Sequence, residues 1–206
     1  MLDFCVVAFA GDSSKAQEIL RRMEEEDGLE PNAASWREAL RAAAKEGRSD
    51  VADIIWNDAV DRKNGPFIPR TSDVDLLVSA YWREAQKITS HALRLPFYRK
   101  IIDLFDAIQS QSTDRGLNRI SIEDLEQNQL LVLAVLRAAV SLVMVRRKGD
   151  QTDGVHDHDV RERVRARELA CEIAGLDVLQ GNNLLPTIDS KTKKALGLAR
   201  SWIYSY

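Results

Sequence analysis

The chain has 206 residues, of which 45% are hydrophobic, and a formal net charge of −3 at pH 7. This length and apolar content allow a buried core, either in one domain or in one short array of repeats. Ten glycines and five prolines are too few for long disordered linkers. A nucleic-acid-binding protein is expected to carry a clear basic surface, so the acidic balance argues against a long, purely electrostatic grip on RNA.

The first 70 residues repeat themselves at a fixed interval. Five positions recur 36 residues later with residues of matching size: Gly11 as Gly47, Ala16 as Ala52, Ile19 as Ile55, Leu20 as Trp56 and Met23 as Ala59. Within each copy this spacing is that of one helix face. A fixed offset of this kind predicts helical hairpins that bury their apolar faces against one another.

Residues 1–10 look like the later part of a first helix, so the first unit is expected to be truncated. Residues 13–27 are predicted to form its second helix, with Ser13 or Ser14 as the N-cap. Gly28 and Pro31 then end that helix, as Gly65 and Pro66 end the next copy.

The second unit is predicted to contain helices at 33–46 and 49–63, joined by a tight turn at Gly47. Arg37, Arg41 and Lys45 lie four residues apart and form a basic stripe on the first of these helices. The stripe either faces a ligand-binding groove or is a solvated helix face, and the sequence favours neither.

Residues 71–111 are predicted to form a third, distorted unit in which Val74 takes the place of Trp36. Its second helix arrives late, which suggests an insertion at 86–94 and a helix start at Pro96. The core between hairpins is predicted to include Ile19, Ile55, Trp56, Leu104 and Phe105.

Residues 112–206 form a divergent helical region that begins with a polar loop at 112–120. The apolar run 130–145 falls short of the ~20 residues of a membrane span, so we expect it at the centre of a bundle. Arg137, within this run, then needs a carboxylate partner or a route to solvent. Further helices are expected at 160–179 and from about Ser190.

We expect no catalytic residues, no metal and no cofactor, and the chain is not expected to be an enzyme. It contains no phosphate-binding glycine loop and no nucleophile elbow. The segment His156-Asp157-His158-Asp159 has metal-binding side chains but no further ligands at a known spacing. Cys5 and Cys171 are far apart and are expected to be buried thiols.

The repeat resembles the pentatricopeptide repeat (PPR) family. The resemblance lies in Ser35-Trp36-Arg37-Glu38-Ala39-Leu40 at the start of a first helix, Lys45-Glu46-Gly47-Arg48 at the turn, and Gly-Leu-Glu-Pro-Asn at the exit of the first unit. It is good over 1–70 and degraded over 71–111. The tetratricopeptide repeat has a different period and signature. The resemblance implies a short right-handed α-solenoid of about three hairpins over 1–111, followed by a helical cap over 112–206.

In the PPR family two positions in each unit read one RNA base. Carried onto this chain, they fall on Arg37 and Arg70 in the second unit, on Asp75 in the third, and on Met1 and Asn32 in the first. Asn32 and Asp75 suit base reading, whereas the two arginines suit phosphate.

Two functions follow from the resemblance. The first is association with single-stranded RNA in a mitochondrion or chloroplast, where the protein would act in RNA processing, stability or translation. Here Arg41 and Lys45 would add contacts to the phosphate backbone. The second is a protein–protein scaffold subunit of a large organellar assembly, such as a mitochondrial ribosome or a respiratory or photosynthetic complex, with no base readout.

Overall fold

The computed structural model describes residues 12–60, 69–114, 129–144, 157–179 and 190–203. In these residues the backbone forms eight α-helices and no strand, which confirms the all-helical prediction there. The helices are α1 (Ser13–Glu25), α2 (Ala33–Glu46), α3 (Ser49–Val60), α4 (Thr71–Lys87), α5 (His91–Asp114), α6 (Gln129–Met144), α7 (Asp157–Leu179) and α8 (Ser190–Ile203). The predicted first helix over 1–10, the turn at Gly65 and most of the polar loop at 112–120 lie outside the described residues.

The helices belong to two compact units, Met1–His91 and Ala92–Tyr206. The first contains α1 to α4, and the second contains α6 to α8 and nearly all of α5. The predicted boundary at 111/112 lies near the end of α5, and the division into repeats and a divergent region stays a prediction.

In the first unit, α2 lies at the centre and packs against α1, α3 and α4. α3 also contacts α1 and α4. The core is built from apolar side chains of all four helices, including Ala16, Leu20, Trp36, Leu40, Ala52, Ile55, Leu77 and Val78. In α1 and α3 most of the apolar face that the periodicity predicted is buried, with Ile19 and Trp56 as the partly exposed exceptions.

Local capping explains where these helices begin and end. Asp12 caps α1 by accepting a hydrogen bond from the Lys15 amide at 3.1 Å, so the prediction of Ser13 or Ser14 was wrong by one or two residues. The side chain of Asn32 caps α2. Gly47 ends α2 in the left-handed conformation, with φ of 63°, and its amide donates to the last turn of the helix.

One contact between helices occurs twice in the first unit. Glu46, the last residue of α2, accepts a hydrogen bond from the amide of Ser13, the first residue of α1, at 3.2 Å. Glu84 of α4 accepts one from the amide of Ser49, the first residue of α3, at 2.6 Å. Both glutamates occupy the fourteenth position of their helix. Each glutamate carboxylate thus lies at the N-terminus of the neighbouring helix, which is the positive end of that helix's dipole.

The predicted core of the hairpins is correct in part. Ile55 and Phe105 are each 2% exposed, whereas Ile19, Trp56 and Leu104 are only partly buried. Among the tryptophans that the structure describes, the buried one is Trp36, at 3% exposure.

The predicted helix start at Pro96 is wrong. Only residues 88–90 separate α4 from α5, and α5 begins at His91 with Pro96 inside it. The additional residues lengthen the two helices instead.

In the second unit, α6, α7 and α8 pack against one another. The apolar helix α6 buries nine side chains that can be described: Leu131, Val132, Ala134, Val135, Leu136, Ala138, Ala139, Val140 and Leu142. The prediction that this run is buried within a helical bundle is therefore confirmed. The partly exposed Arg137 donates from Nε to the hydroxyl of the fully buried Thr192 at 2.6 Å.

Candidate interaction surfaces

Arg37, a predicted RNA contact, is bound by a buried carboxylate of its own unit. Its Nε lies 2.9 Å and 3.1 Å from the two carboxylate oxygens of Asp73 on α4. The Asp73 side chain is 1% exposed and that of Arg37 is 20% exposed. A charge this deeply buried depends on its partner, so Arg37 serves as an internal counterion between α2 and α4.

The rest of the basic stripe remains at the surface. Arg41, with a side chain 56% exposed, pairs with Glu38 one turn earlier. Lys45 is exposed. The structure therefore divides the stripe: its first member is internal, its second is partly neutralised, and its third faces solvent.

Arg70 and Asn32 lie at helix starts. The amide of Arg70 donates to the Asp73 carboxylate at 3.0 Å, while the residue itself is exposed. The Asn32 side-chain oxygen accepts from the amides of Ala34 at 2.8 Å and Ser35 at 3.0 Å. Its oxygen is thus engaged in capping α2, although the residue is exposed.

Asp75 lies partly buried on α4. Its Oδ1 is buried without a hydrogen-bond partner among the described residues. Burial removes water from the carboxylate and raises the pKa of Asp75 above its ordinary value. The structure thus joins Arg37 and Arg70 through Asp73, and leaves the other predicted residues in separate roles.

A basic cluster, formed by Lys45, Arg83 and Lys87, occupies the ends of α2 and α4. Arg83 donates to the carbonyl of Lys45 at 2.8 Å. Lys87 donates to the carbonyls of Glu46 and Gly47 at 2.7 Å and 2.8 Å. These bonds satisfy the last carbonyls of α2 but do not cancel the positive charges, because a carbonyl carries only a partial charge.

A second surface is a cleft of about 740 Å³ that the sequence did not predict. We call it the acidic cleft. It is lined by α1, α2 and α3, with contributions from Ser14, Gln17, Glu18, Leu20, Arg21, Glu24, Glu25, Trp36, Ile55 and Asp58. Its volume is within the range of clefts that bind ligands.

The charges of the acidic cleft are unequal. Four carboxylates line it, from Glu18, Glu24, Glu25 and Asp58, against the single guanidinium of Arg21. Arg21 bonds to Glu18 at 2.7 Å and also pairs with Glu25. This hydrogen bonding lowers the pKa of Glu18, which keeps it charged near neutral pH. Carboxylates therefore outnumber guanidinium groups among the residues that line the cleft.

The second unit contains a cleft of about 400 Å³ with balanced charges. Arg99 of α5 bonds to Glu162 of α7 at 2.6 Å, and Arg165 of α7 bonds to Asp106 of α5 at 2.5 Å. These two ion pairs join α5 to α7. Arg165 is thus engaged within its own unit.

Comparisons with known proteins return no relative: neither a known family, nor a curated protein, nor a solved structure matches the chain. Among the helices that the structure describes, none combines the length and apolar character needed to cross a membrane. The described ranges also contain no group of three His, Cys, Asp or Glu side chains placed to hold a metal ion.

Sequence reasoning missed Asp73 and the acidic cleft. Asp73 lies at the third position of α4, where a carboxylate commonly caps the helix, and that was the available signal. The cleft had no comparable signal, because its members come from three helices and are brought together only by packing.

Proposed function

We propose that the first unit is a short PPR-like array of helical hairpins and acts as a protein-interaction module within a larger assembly. The observation that carries the proposal is the acidic cleft. The carboxylates that line it would repel the phosphates of RNA, which favours a protein partner. The module would act as a scaffold and not as an enzyme.

The arrangement of the family-derived positions supports this proposal. Arg37 pairs with a buried carboxylate and Asn32 caps a helix, so neither side chain is available for base readout without loss of a structural bond. The recurring glutamate contact and the central place of α2 are consistent with stacked hairpins. An organellar location remains part of the proposal, from the family resemblance.

A sedimentation experiment tests the proposal. The tagged full chain is expressed in its source cells, and a native extract is fractionated with and without ribonuclease. We expect the chain in a fraction heavier than the monomer, and we expect that ribonuclease leaves it there. Release into the light fraction by ribonuclease, or sedimentation as a monomer in the untreated extract, would contradict a protein scaffold.

RNA association is the second candidate, and the basic cluster favours it. Arg83 and Lys87 bond to backbone carbonyls and Lys45 is exposed, so these contacts do not cancel the three positive charges. They suit phosphate contacts, which position a nucleic acid without reading its bases. Binding of homopolymeric RNAs with similar affinities would support this candidate, and a strong preference for one base would contradict this mode of binding.

A further inference from the structure

We propose that the outer face of α5 pairs with the same face of a second copy of this chain. The proposal goes beyond the function proposed for the first unit, because α5 belongs to the second unit from Ala92 onwards. Two features carry it. One is a second apolar face on α5, and the other is a spacing of that face that is the same in both directions along the helix.

α5 presents apolar side chains on two faces. The inner face is formed by four side chains that are each at most 6% exposed: Tyr98, Ile101, Ile102 and Phe105. The other face, which we call the outer stripe, consists of Leu93, Phe97, Lys100 and Leu104. At 100° per residue, the four members of the outer stripe lie within about 60° of one another around the helix. They therefore form one continuous line along it.

The outer stripe is open to solvent. Leu93 is 64% exposed, the highest value for a large apolar side chain among the described residues, and Lys100 is also exposed. Phe97 and Leu104 are partly exposed. A single exposed leucine is ordinary, whereas three apolar side chains in line on one helix indicate a contact surface.

The spacing of the outer stripe is one by which two helices pack together. Its members follow one another at intervals of four, three and four residues, the alternation of a coiled-coil seam. Because this spacing is the same from either end, a two-fold axis midway between Phe97 and Lys100 matches the stripe to an antiparallel copy of itself. Leu93 of each copy then lies opposite Leu104 of the other. A surface that complements itself in this way forms an isologous dimer.

The same two-fold axis places Phe97 of each copy opposite Lys100 of the other. The face of an aromatic ring attracts an ammonium group, so the match is favourable and occurs twice. Lysine within the seam also selects the register, since other alignments would set its charge against leucine. Both halves of the match are present on this chain, which favours a second copy over an unrelated helix as the occupant.

The interface formed by the outer stripe is short. From Leu93 to Leu104 the helix rises by about 17 Å, at 1.5 Å per residue. A contact of this length buries less than the ~1,000 Å² expected of a stable complex. We therefore expect a reversible dimer with a Kd between about 10 and 100 μM.

Analytical ultracentrifugation of the full chain at about 1–500 μM measures this equilibrium. The variant Leu93→Glu places a charge at both ends of the interface, and we expect it to raise the Kd at least about tenfold. The matched control Leu29→Glu makes the same change at a leucine that is 48% exposed in the first unit. It should leave the Kd within about twofold, and both variants should fold because both leucines are exposed.

Cysteine cross-linking tests the antiparallel register. When Leu93→Cys and Leu104→Cys are present in one chain, mild oxidation should link the two positions between copies, as peptide mapping would show. Leu93→Cys alone should not link to its own counterpart. In the antiparallel dimer the two copies of residue 93 lie about 17 Å apart along the helices, far beyond the reach of a disulfide.

Three results would overturn the proposal: a monomer at every concentration, equal effects of Leu93→Glu and Leu29→Glu on the Kd, or a link between the two copies of residue 93. None of them bears on the function proposed for the first unit. That function fails by a different result, the release of the full chain by ribonuclease. The two failures are therefore distinguishable.

Discussion

At the scale of single residues, the pair between Arg37 and Asp73 is the most consequential contact among the residues that were predicted to contact RNA. Asp73 accepts hydrogen bonds from the Arg37 side chain and from the amide of Arg70. It therefore caps α4 and holds α2 to α4 with the same carboxylate. Its burial makes the contact structural, because an isolated buried charge is expensive.

We predict that Asp73→Ala lowers the free energy of unfolding by about 3 kcal/mol, the lower end of the range for breaking a buried ion pair because Arg37 is partly exposed. The control Glu38→Ala removes the exposed partner of Arg41 and should cost less than about 1 kcal/mol. Urea denaturation measures both. Equal losses in the two variants would mean that Asp73 has no special structural role.

The partly buried Asp75 gives a pH-dependent prediction. Because burial raises its pKa, the folded state holds a proton more tightly than the unfolded state, and stability falls as pH rises from the ordinary value of 3.8 through the raised pKa. Asp75→Asn should therefore stabilise the protein at pH 7, and its advantage should disappear below about pH 3.8.

Thermal denaturation between pH 3 and pH 7 measures this difference. The control Asp27→Asn, at an exposed position, should shift stability by less than about 0.5 kcal/mol. If Asp75→Asn instead destabilises the chain at neutral pH, then the ionised carboxylate has a favourable partner and the argument from burial is wrong.

The two core-facing tryptophans reverse the order expected from the sequence. Trp36 is 3% exposed and Trp56 is partly exposed. We predict that Trp36→Ala costs about 3–5 kcal/mol, the range for a buried aromatic residue, and that Trp56→Ala costs clearly less. Urea melts of the two variants decide the order, and a larger loss at Trp56 would contradict the observed packing.

At the scale of helices, the turn between α2 and α3 is fixed by a close approach of α4. A Cβ atom added at Gly47 would lie 2.7 Å from the Cβ of Arg83, and Gly47 has φ of 63°. Gly28 has the same φ, but nothing lies within 4 Å of its added Cβ. Substitutions at the two glycines therefore distinguish the cost of backbone strain, which both positions share, from the cost of crowding, which arises at Gly47 and not at Gly28.

We predict that Gly28→Ala costs about 1 kcal/mol, the penalty for a left-handed non-glycine residue. Gly47→Ala should cost about 2–4 kcal/mol, because overpacking against α4 is added to the same strain. Denaturation by urea measures both variants. Equal losses would show that α4 yields at no cost to make room for the added methyl group.

At the scale of the whole molecule, the net charge of −3 limits what the basic cluster can do. Three cations are available in the cluster, and the acidic cleft belongs to the same unit. Any RNA binding should therefore be weak and only moderately salt-dependent. We expect a slope of log affinity against log salt no steeper than about −2, from roughly 0.7 for each phosphate contact.

Titration of single-stranded RNA at several salt concentrations measures this slope. Lys45→Gln should flatten it by roughly 0.7, and the control Lys15→Gln, at an exposed position of α1, should leave it unchanged. A steeper slope, or the same slope in both variants, would place the RNA on another surface.

The sequence by itself determined the helical class and much of the helix register. Residues 33–46 were predicted as a helix with the bounds that the structure gives to α2, since Asn32 at its start and Gly47 at its end act through local backbone bonds. Most buried positions of α1 followed from a period of 3.6 residues, and the burial of α6 followed from a continuous apolar run; both signals are local. The residues that these positions contact in the core could not be predicted from such local signals.

The tertiary structure decided what each charged side chain touches. Arg37, Arg41 and Lys45 share a spacing, yet the position of Asp73 on α4 makes the first internal and leaves the third exposed. The acidic cleft likewise exists only because α1 and α3 lie side by side over α2. Helix faces are encoded by neighbours along the chain, whereas ion pairs and clefts depend on residues that packing brings together.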